Sequence, residues 1–431
     1  MLESDSECVE LNNEVSELVY HVLFLLIFIL GMGMLSGKLA AWLKLPDVAL
    51  FLIAGMVVGQ GLHLVTETSS SFTNQFILTL GSVLILFDGG RNIRLSGLRK
   101  VWLTLTLLSV PGVLITCGVV AVTAHWLLGM PLLYAVLLGA IISSTDPATL
   151  IPVFKQVRIR TKVRETVESE SAFNDATGSI LTFSVLAVIT GGQAISVSAS
   201  VIQFVVTALG GILVGAVIGF ILVYVTAHSK LGWMRDYATI AMVVTAISAY
   251  LLGETIHVSG FMATFTAGLI WGNVHIFKLD LQDKHQEMGH FSENITVIMR
   301  MLIFIMLGSQ VNFGVIWANL WPSLGVIAVF IFIARPLTVL ASALPDRKAR
   351  WTWRELVFMF WVRETGVIPA ALSGMVVGLG VKYADIMASV TFLAVLFTIL
   401  LQAGTTAYVA RKLGVTEADT ATDTEELNRS G

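Results

Sequence analysis

The chain has 431 residues, is 56% hydrophobic and only 13% charged, and carries a formal net charge of −3. That balance excludes an ordinary soluble globular domain and gives no electrostatic basis for nucleic-acid binding. Its two cysteines, Cys8 and Cys117, argue against both a disulfide framework and a cysteine metal site.

In chain order, residues 1–17 are acidic and hold no basic residue, the reverse of a secretory signal. They read as an extracytoplasmic tail before a retained helix. Repeated apolar runs of about 20 residues then mark an all-α polytopic membrane protein. About thirteen spans are predicted: 18–43, 47–63, 73–89, 101–128, 131–152, 165–191, 199–228, 236–254, 258–274, 291–309, 315–343, 355–378 and 385–410. With the N-terminus outside, 22 of the 26 Lys and Arg residues fall in cytoplasmic segments, and only Lys382 falls opposite. The bias predicts an N-out, C-in arrangement with an odd number of spans. Trp42, Trp126, Trp271 and Trp351, among others, sit near predicted span ends and read as an interfacial belt.

One transmembrane domain is expected over 18–412, with a core bundle that includes 131–191 and 315–410. A short, acidic, disordered tail is expected over 413–431. No Gly-rich nucleotide motif follows a strand, so neither a nucleotide nor another cofactor is expected, and any transport must be driven by ion gradients.

Polar residues inside the spans carry the chemistry, because such residues are costly in a bilayer. Span 5 contains Ser144-Thr-Asp-Pro147, where the proline disfavours helix at Asp146. Irregular backbone at mid-depth survives only where it is buried in protein or lines a cavity; the alternative is a simple kink. Span 12 contains Val362-Arg-Glu-Thr-Gly-Val-Ile-Pro369, again a charge beside Gly and Pro. Two interrupted spans, one in each half, point to an inverted-repeat transporter with a midplane site.

Span 6 reads Glu168-Ser-Glu-Ser-Ala-Phe-Asn-Asp175. Glu170 and Asn174 are one turn apart, as are Ser171 and Asp175, so a carboxylate and a hydroxyl reach one place. Such oxygens suit a hard cation; a polar helix–helix contact is the alternative. Arg335, in span 11, needs a buried anion, for which Glu170 and Glu168 are candidates, unless it snorkels to a headgroup. A carboxylate facing Arg stays ionised, whereas burial favours the neutral form of a lone one. On that basis Glu170 is expected to pair with Arg335, and Asp175 to exchange a proton for a cation.

Other features read as structural. Arg300 is seven residues after Glu293 and is expected to share its face. Asp88, before Gly89-Gly90, reads as a cap or turn. His275, His285 and His290 read as solvated loop residues rather than a pH sensor. Gly211, Gly215 and Gly219, with Gly33 and Gly37, form small-residue faces that pack either within the fold or at a dimer interface.

The chain resembles the monovalent cation:proton antiporters of the NhaP and eukaryotic Na+/H+ exchanger type, over nearly all of 18–412. The resemblance rests on Lys44-Leu-Pro-Asp47 before the Gly55–Gly59 helix, and on Thr145-Asp146-Pro147 followed 28 residues later by Asn174-Asp175. Glu170-Ser171-x-x-Asn174-Asp175 is its most specific motif, and Arg335 and Arg363 match two buried arginines of the second half. It implies thirteen helices, with a six-helix core moving against a dimerisation domain, in a homodimer of the cell membrane. It implies a monovalent-cation site lined by Thr145, Asp146, Ser171 and Asp175, with Asp175 alternately protonated and cation-bound. Asn174 would hold the unwound helices, and Glu170 with Arg335 would form an ion bridge. An Asn-Asp pair resembles the electroneutral branch, one cation for one proton. The chain departs from the family pattern at Ser169, usually Gly, and at Val362-Arg-Glu-Thr-Gly366, usually Gly-x-Arg-Gly. Glu364 thereby adds a carboxylate near the site.

The expected function is exchange of Na+, or Li+, for H+. K+/H+ exchange is the alternative within transport, because selectivity lies in cavity size and ligand flexibility. A passive cation channel is the alternative of another class, and a sensor or scaffold that lost transport is a further one. No nucleophile–base pair or metal cluster suggests an enzyme.

Overall fold

The computed structural model describes residues 2–43, 45–62, 64, 71–95, 101–145, 154, 157–191, 197–228 and 234–417. The first half comprises α1 (Leu2–Leu43), α2 (Asp47–Met56, continued by a π turn over Val57–Gly61), α3 (Phe72–Asn92), α4 (Trp102–Ser109), α5 (Pro111–Leu128), α6 (Leu132–Ile142) and α7 (Thr161–Gly191). Then come α8 (Val197–Ala227), α9 (Ala238–Thr255), α10 (Gly260–Gly272), α11 (Gln282–Ser309) and α12 (Phe313–Val329). A π turn over Phe330–Ala334 leads into α13 (Arg335–Ala343). They are followed by α14 (Trp353–Trp361), α15 (Val367–Gly378), α16 (Ala384–Phe397), a π turn over Thr398–Ala403 and α17 (Gly404–Leu413).

Among the described residues, nine helices are long and apolar enough to cross a membrane. Four shorter apolar helices, Asp47–Gly61, Leu132–Ile142, Gly260–Gly272 and Val367–Gly378, lie where spans 2, 5, 9 and 12 are predicted. Helix starts follow local chemistry. Ser71, Ser259, Asn312 and Thr352 each accept a backbone N–H from the first turn of the helix they precede. The π turn before α13 lies just ahead of Pro336, which cannot donate a helical hydrogen bond.

Two kinds of contact hold the bundle. Glycines bring backbones together: a Cβ at Gly268 would overlap the Phe87 carbonyl of α3, and one at Gly215 the Ala263 carbonyl of α10. The Gly211–Gly219 face of α8 therefore packs inside the fold, against α10. Gly55 and Gly308 likewise bring α2 and α11 into contact. Trp271, expected at the interface, is instead 3% exposed and packs edge-on against Phe87.

Polar contacts gather at the end predicted to face the cytoplasm. The Thr104 amide and hydroxyl both donate to Asp346, and the Trp351 indole donates to Thr104, so Trp351 is a structural donor as well as a ring near an interface. Lys162 lies over the Trp351 ring and pairs with Glu355 at 2.7 Å. Helix α1 begins at Leu2, so the acidic residues 2–17 form its first turns. Residues 413–417, the start of the expected disordered tail, are ordered. The Arg160 amide donates to the Val415 carbonyl at 3.0 Å, and the Glu417 amide to the Arg158 carbonyl at 2.8 Å. The Thr161 amide and hydroxyl donate to the Glu417 carboxylate at 3.2 and 2.8 Å. Residues 415–417 thus clip the start of α7.

Gly215→Ala forces backbone against backbone and is expected to cost about 1–3 kcal/mol. Gly118→Ala has nothing within 4 Å of the new methyl group and should be neutral or stabilise by roughly 0.5–1 kcal/mol. Thermal unfolding in detergent separates the two; equal shifts would refute this packing. Bonds from Thr161, the hydroxyl first and then the amide, hold the Glu417 carboxyl below the ordinary carboxylate range. A lowered value means that the clip contributes at neutral pH and is lost only as pH falls through the acid range. Hydrogen exchange at the Arg160 amide should therefore be slow at pH 7 and faster in Glu417→Ala.

Candidate functional site

The site forms where two helices stop in the middle of the bundle. A helix end leaves its last carbonyls without intrahelical partners, and in an apolar interior something must donate to them. α6 ends at Ile142, and residues 143–145 leave the helix. Arg363 Nη2 donates to the Ser143 carbonyl, and Ser171 Oγ donates to the Thr145 carbonyl. α14 ends at Trp361, and residues 362–366 lie outside any helix before α15 begins. Arg335 Nε donates to the Met359 carbonyl at 2.9 Å, Arg335 Nη2 to the Val362 carbonyl at 3.2 Å, and Gln402 Nε2 to the Trp361 carbonyl at 2.7 Å. Each arginine therefore sits at the negative end of a broken helix.

α7 runs between the two breaks. Asn174 Oδ1 accepts from the Thr145 amide at 3.0 Å, and Asn174 Nδ2 donates to Thr145 Oγ1 at 2.8 Å. One amide side chain thus fixes the end of α6 against α7. Ser171, one turn earlier, holds the same residue through its carbonyl. Gly178 lies against the Ser144 side chain, where a Cβ would sit 3.3 Å from the serine Cβ. Thr145, Ser171 and Asp175 are all buried, Asp175 at 9% exposure. Asp146 lies outside the described residues, as does Pro147.

Glu170 takes Arg335 through both oxygens, Nη1 to Oε1 and Nη2 to Oε2. The side chains are 2% and 1% exposed. The pair crosses 165 residues of sequence and joins α7 of the first half to α13 of the second. Of the two carboxylates considered for Arg335, Glu170 makes the contact; Glu168 is only partly buried. Arg363 is held by the Thr116 hydroxyl at 3.3 Å and lies over the Phe330 ring at 4.5 Å. Thr398, in the π turn after α16, accepts the Thr365 amide at 3.1 Å. Nothing in the sequence marks Thr116, Thr398 or Gln402, since a buried threonine or glutamine has no pattern of its own.

Two structural expectations change. Arg300 pairs with Asp47 at 2.8 Å, on α2, rather than with Glu293 on its own helix. Asp88 is more than a cap: it accepts from Arg91 and Asn92 on α3 and from Ser292 and Thr296 on α11. His275, His285 and His290 are exposed.

A bundle of apolar helices, two of them ending inside the bundle beside buried carboxylates and arginines, fits the architecture of a secondary-active membrane transporter. The family model for the sodium/hydrogen exchanger transmembrane region matches residues 22–412. The chain belongs to that family of multi-pass membrane antiporters. It is 29% identical over 411 residues to "Na(+)/H(+) antiporter 1" of Methanocaldococcus jannaschii, covering 89% of this chain and 94% of that protein. It is 31% identical over 404 residues to "K(+)/H(+) antiporter NhaP" of Alkalimonas amylolytica, covering 92% of this chain and 66% of that protein. The solved structure of the sodium proton antiporter MjNhaP1 from M. jannaschii at pH 8 superimposes with a TM-score of 0.83 at 27% identity. That match covers 93% of this chain and 100% of the other.

Removing one member of a buried ion pair strands the other, at a cost of about 3–5 kcal/mol. Glu170→Gln and Arg335→Gln are each expected to lower the unfolding temperature sharply. The double variant should lose less than the sum. Strict additivity in a thermal double-mutant cycle would show that the two side chains do not act as a pair.

Proposed function

We propose that the protein exchanges Na+ or Li+ for H+ one for one, without net charge movement, at a site lined by Thr145, Asp146, Ser171 and Asp175. The observation that supports this reading most is the junction of α6 and α7, where Asn174 fixes Thr145 beside Ser171 and Asp175. The Thr145 and Ser171 side chains both lie at this junction, with Ser171 one turn before Asp175 on α7, and oxygens of these kinds suit a hard cation. Asn174 positions these groups, Glu170 and Arg335 form the fixed bridge behind them, and Arg363 supports the end of α6. The reaction makes and breaks no covalent bond, so the protein is a transporter without an enzyme's catalytic group.

The cycle follows from one acidic group serving two ligands. A proton or a cation neutralises the Asp175 carboxylate, and each excludes the other. An empty ionised carboxylate is costly to carry through an apolar barrier, so the core moves when either ligand is bound. Each turn then carries a cation one way and a proton the other. Glu170 takes no part in the exchange, because Arg335 binds both of its oxygens. Transport slows at low pH, where protons hold the site on both sides, and at high pH, where protons are scarce.

K+ is the second reading, favoured by the identity to a K+/H+ antiporter. The partners in this proposal are the transported ions, the lipid of the cell membrane and a second copy of the chain. The exposed apolar residues of α1 and α8, including Leu35, Leu209 and Leu213, give surface for lipid or for the other protomer.

The test is the purified protein in liposomes with an internal pH dye and a preset pH gradient, challenged with Na+, Li+ or K+ with and without a voltage clamp. Dye recovery with Na+ or Li+ that ignores voltage is expected, and recovery with K+ alone would select the second reading. Asp175→Ala should reduce exchange at least a hundredfold while the protein still purifies as a folded species. Normal exchange in that variant would remove Asp175 from its role.

A further inference from the structure

A hollow lies on the outer side of the second broken helix. The π turn over Phe330–Ala334 takes in an extra residue just ahead of Pro336, whose ring cannot sit against the carbonyl one turn before it. The chain widens there. Ile331, Phe332 and Pro336 form one side of the resulting groove, Val357, Phe360 and Trp361 of α14 form the other, and Val409 of α17 completes the lining. The groove measures about 290 Å³ and is apolar throughout. Phe332, in its wall, is 59% exposed, so the groove opens outward. α14 and α17 are tied along it by the Trp361 indole, which donates to Thr405 Oγ1 at 2.8 Å.

One end of the groove is basic. α14 runs from Trp353, at the end predicted to face the cytoplasm, to Trp361 at the break, and α17 runs back toward that same end. Arg354 is three residues before Val357, and Lys412 is three residues after Val409. Each therefore sits on the groove side of its helix, one turn nearer the predicted cytoplasmic end. Both side chains are exposed. Arg354 reaches across to α17: its Nη1 would lie 3.5 Å from a Cβ on Gly414, the residue that caps that helix. Lys412 Nζ lies 5.8 Å from the centre of the Tyr408 ring. Among the described residues neither cation is within ion-pair distance of a carboxylate. The acids of this end are already taken, Glu355 by Lys162 and Glu417 by Thr161. The C-terminus of α17 offsets about half of one charge, so the mouth keeps a net positive charge. Trp353, 63% exposed, packs edge-on against Phe360 of the groove at 5.8 Å, and Tyr408 is 65% exposed. Such rings suit the headgroup level of a bilayer.

An apolar groove that faces lipid has no preference of its own, because acyl chains are apolar whatever headgroup they carry. Selection must come from the mouth, where two unmatched cations between helix ends suit an anionic headgroup. We propose that the groove holds an acyl chain of an anionic phospholipid from the cytoplasmic leaflet, with its phosphate between Arg354 and Lys412. The lipid joins α14 to α17 and covers the break from outside. From inside, the same break is held by Arg335, next to Pro336 of the groove, and by Gln402, which donates to the Trp361 carbonyl. The lipid therefore braces the elements that carry the Glu170–Arg335 pair. This inference needs only the membrane location and does not depend on the exchange reaction.

The experiment titrates delipidated protein in detergent with phosphatidylglycerol, phosphatidylcholine or glycerol phosphate and follows the unfolding temperature. Phosphatidylglycerol is expected to raise it along a saturating curve, with half-saturation at least about tenfold below that of phosphatidylcholine. Arg354→Gln combined with Lys412→Gln should remove that preference, each charge contributing about fivefold, and leave the response to phosphatidylcholine unchanged. Val409→Phe, which fills the groove, should abolish the saturable response with both cations in place. Equal half-saturation by the two lipids, or a preference that survives the loss of both cations, would overturn the proposal. So would an unaltered response in Val409→Phe. An equal effect of glycerol phosphate would reveal a site for soluble anions and overturn the lipid assignment. Arg354 and Lys412 are exposed, so their double variant decides the question even where a filled groove prevents folding.

Discussion

The ion pair between Glu170 and Arg335 is the constraint around which the rest of the bundle is arranged. Both side chains are almost fully buried, and neither charge alone is tolerable there. Desolvating the two groups offsets most of their attraction, so such a pair adds little net stability over an apolar contact. Its value is positional. The guanidinium also reaches the Met359 and Val362 carbonyls, so one side chain fixes α7, α13 and the broken end of α14 together. Any other register of these helices would leave a buried charge or a buried carbonyl without a partner.

The same logic appears in the other half of the site, with different groups. There Arg363 reaches the Ser143 carbonyl at the end of α6, and the Ser171 and Asn174 side chains hold Thr145. Each break frees carbonyls and each receives an arginine. The broken helices are thereby stable at a depth where free backbone groups are forbidden. Their ends also hold oxygen-bearing side chains in the middle of the protein. The polar network that makes the breaks possible is thus what brings Thr145, Ser171 and Asn174 together.

Much of this was legible in the sequence, and the gaps have physical reasons. Apolar run length located the nine long helices of the described residues, because a bilayer sets that length. The pairing of Glu170 with Arg335 could be expected because few charges interrupt spans 6 and 11. The break in span 12 falls at 362–366, before Pro369, which takes a place in the first turn of α15, where a proline has no amide to lose. Arg300 shows the limit of periodicity. Seven-residue spacing puts Glu293 and Arg300 on one face, but the glycine contact of α2 with α11 brings Asp47 closer. The partners of Arg363 were hidden because a carbonyl, a threonine and a phenylalanine carry no signal in a sequence. The clip at 415–417 was hidden for a similar reason: two of its four bonds are backbone to backbone and the others fall on one glutamate, while its composition is that of a solvated tail.

Two kinds of cohesion divide the bundle. Around α3, α8 and α10, glycines allow backbones to meet, and the contacts are dispersive and close. Around α6, α7, α13 and α14, cohesion comes from directed hydrogen bonds and an ion pair. Between the two regions lie apolar rings: Phe173 of α7 meets Phe265 of α10 at 5.0 Å, and Phe183 meets Phe261 at 5.6 Å. Apolar contact is non-directional, so a rigid group of helices can slide along it without losing a specific bond. Sliding within either region would break hydrogen bonds or force backbones to clash. In the proposed cycle the division would therefore run along the aromatic seam beside α7. The helix bearing Asp175 would move with both broken helices and with the Glu170–Arg335 pair intact, which keeps the fixed charges matched at every stage.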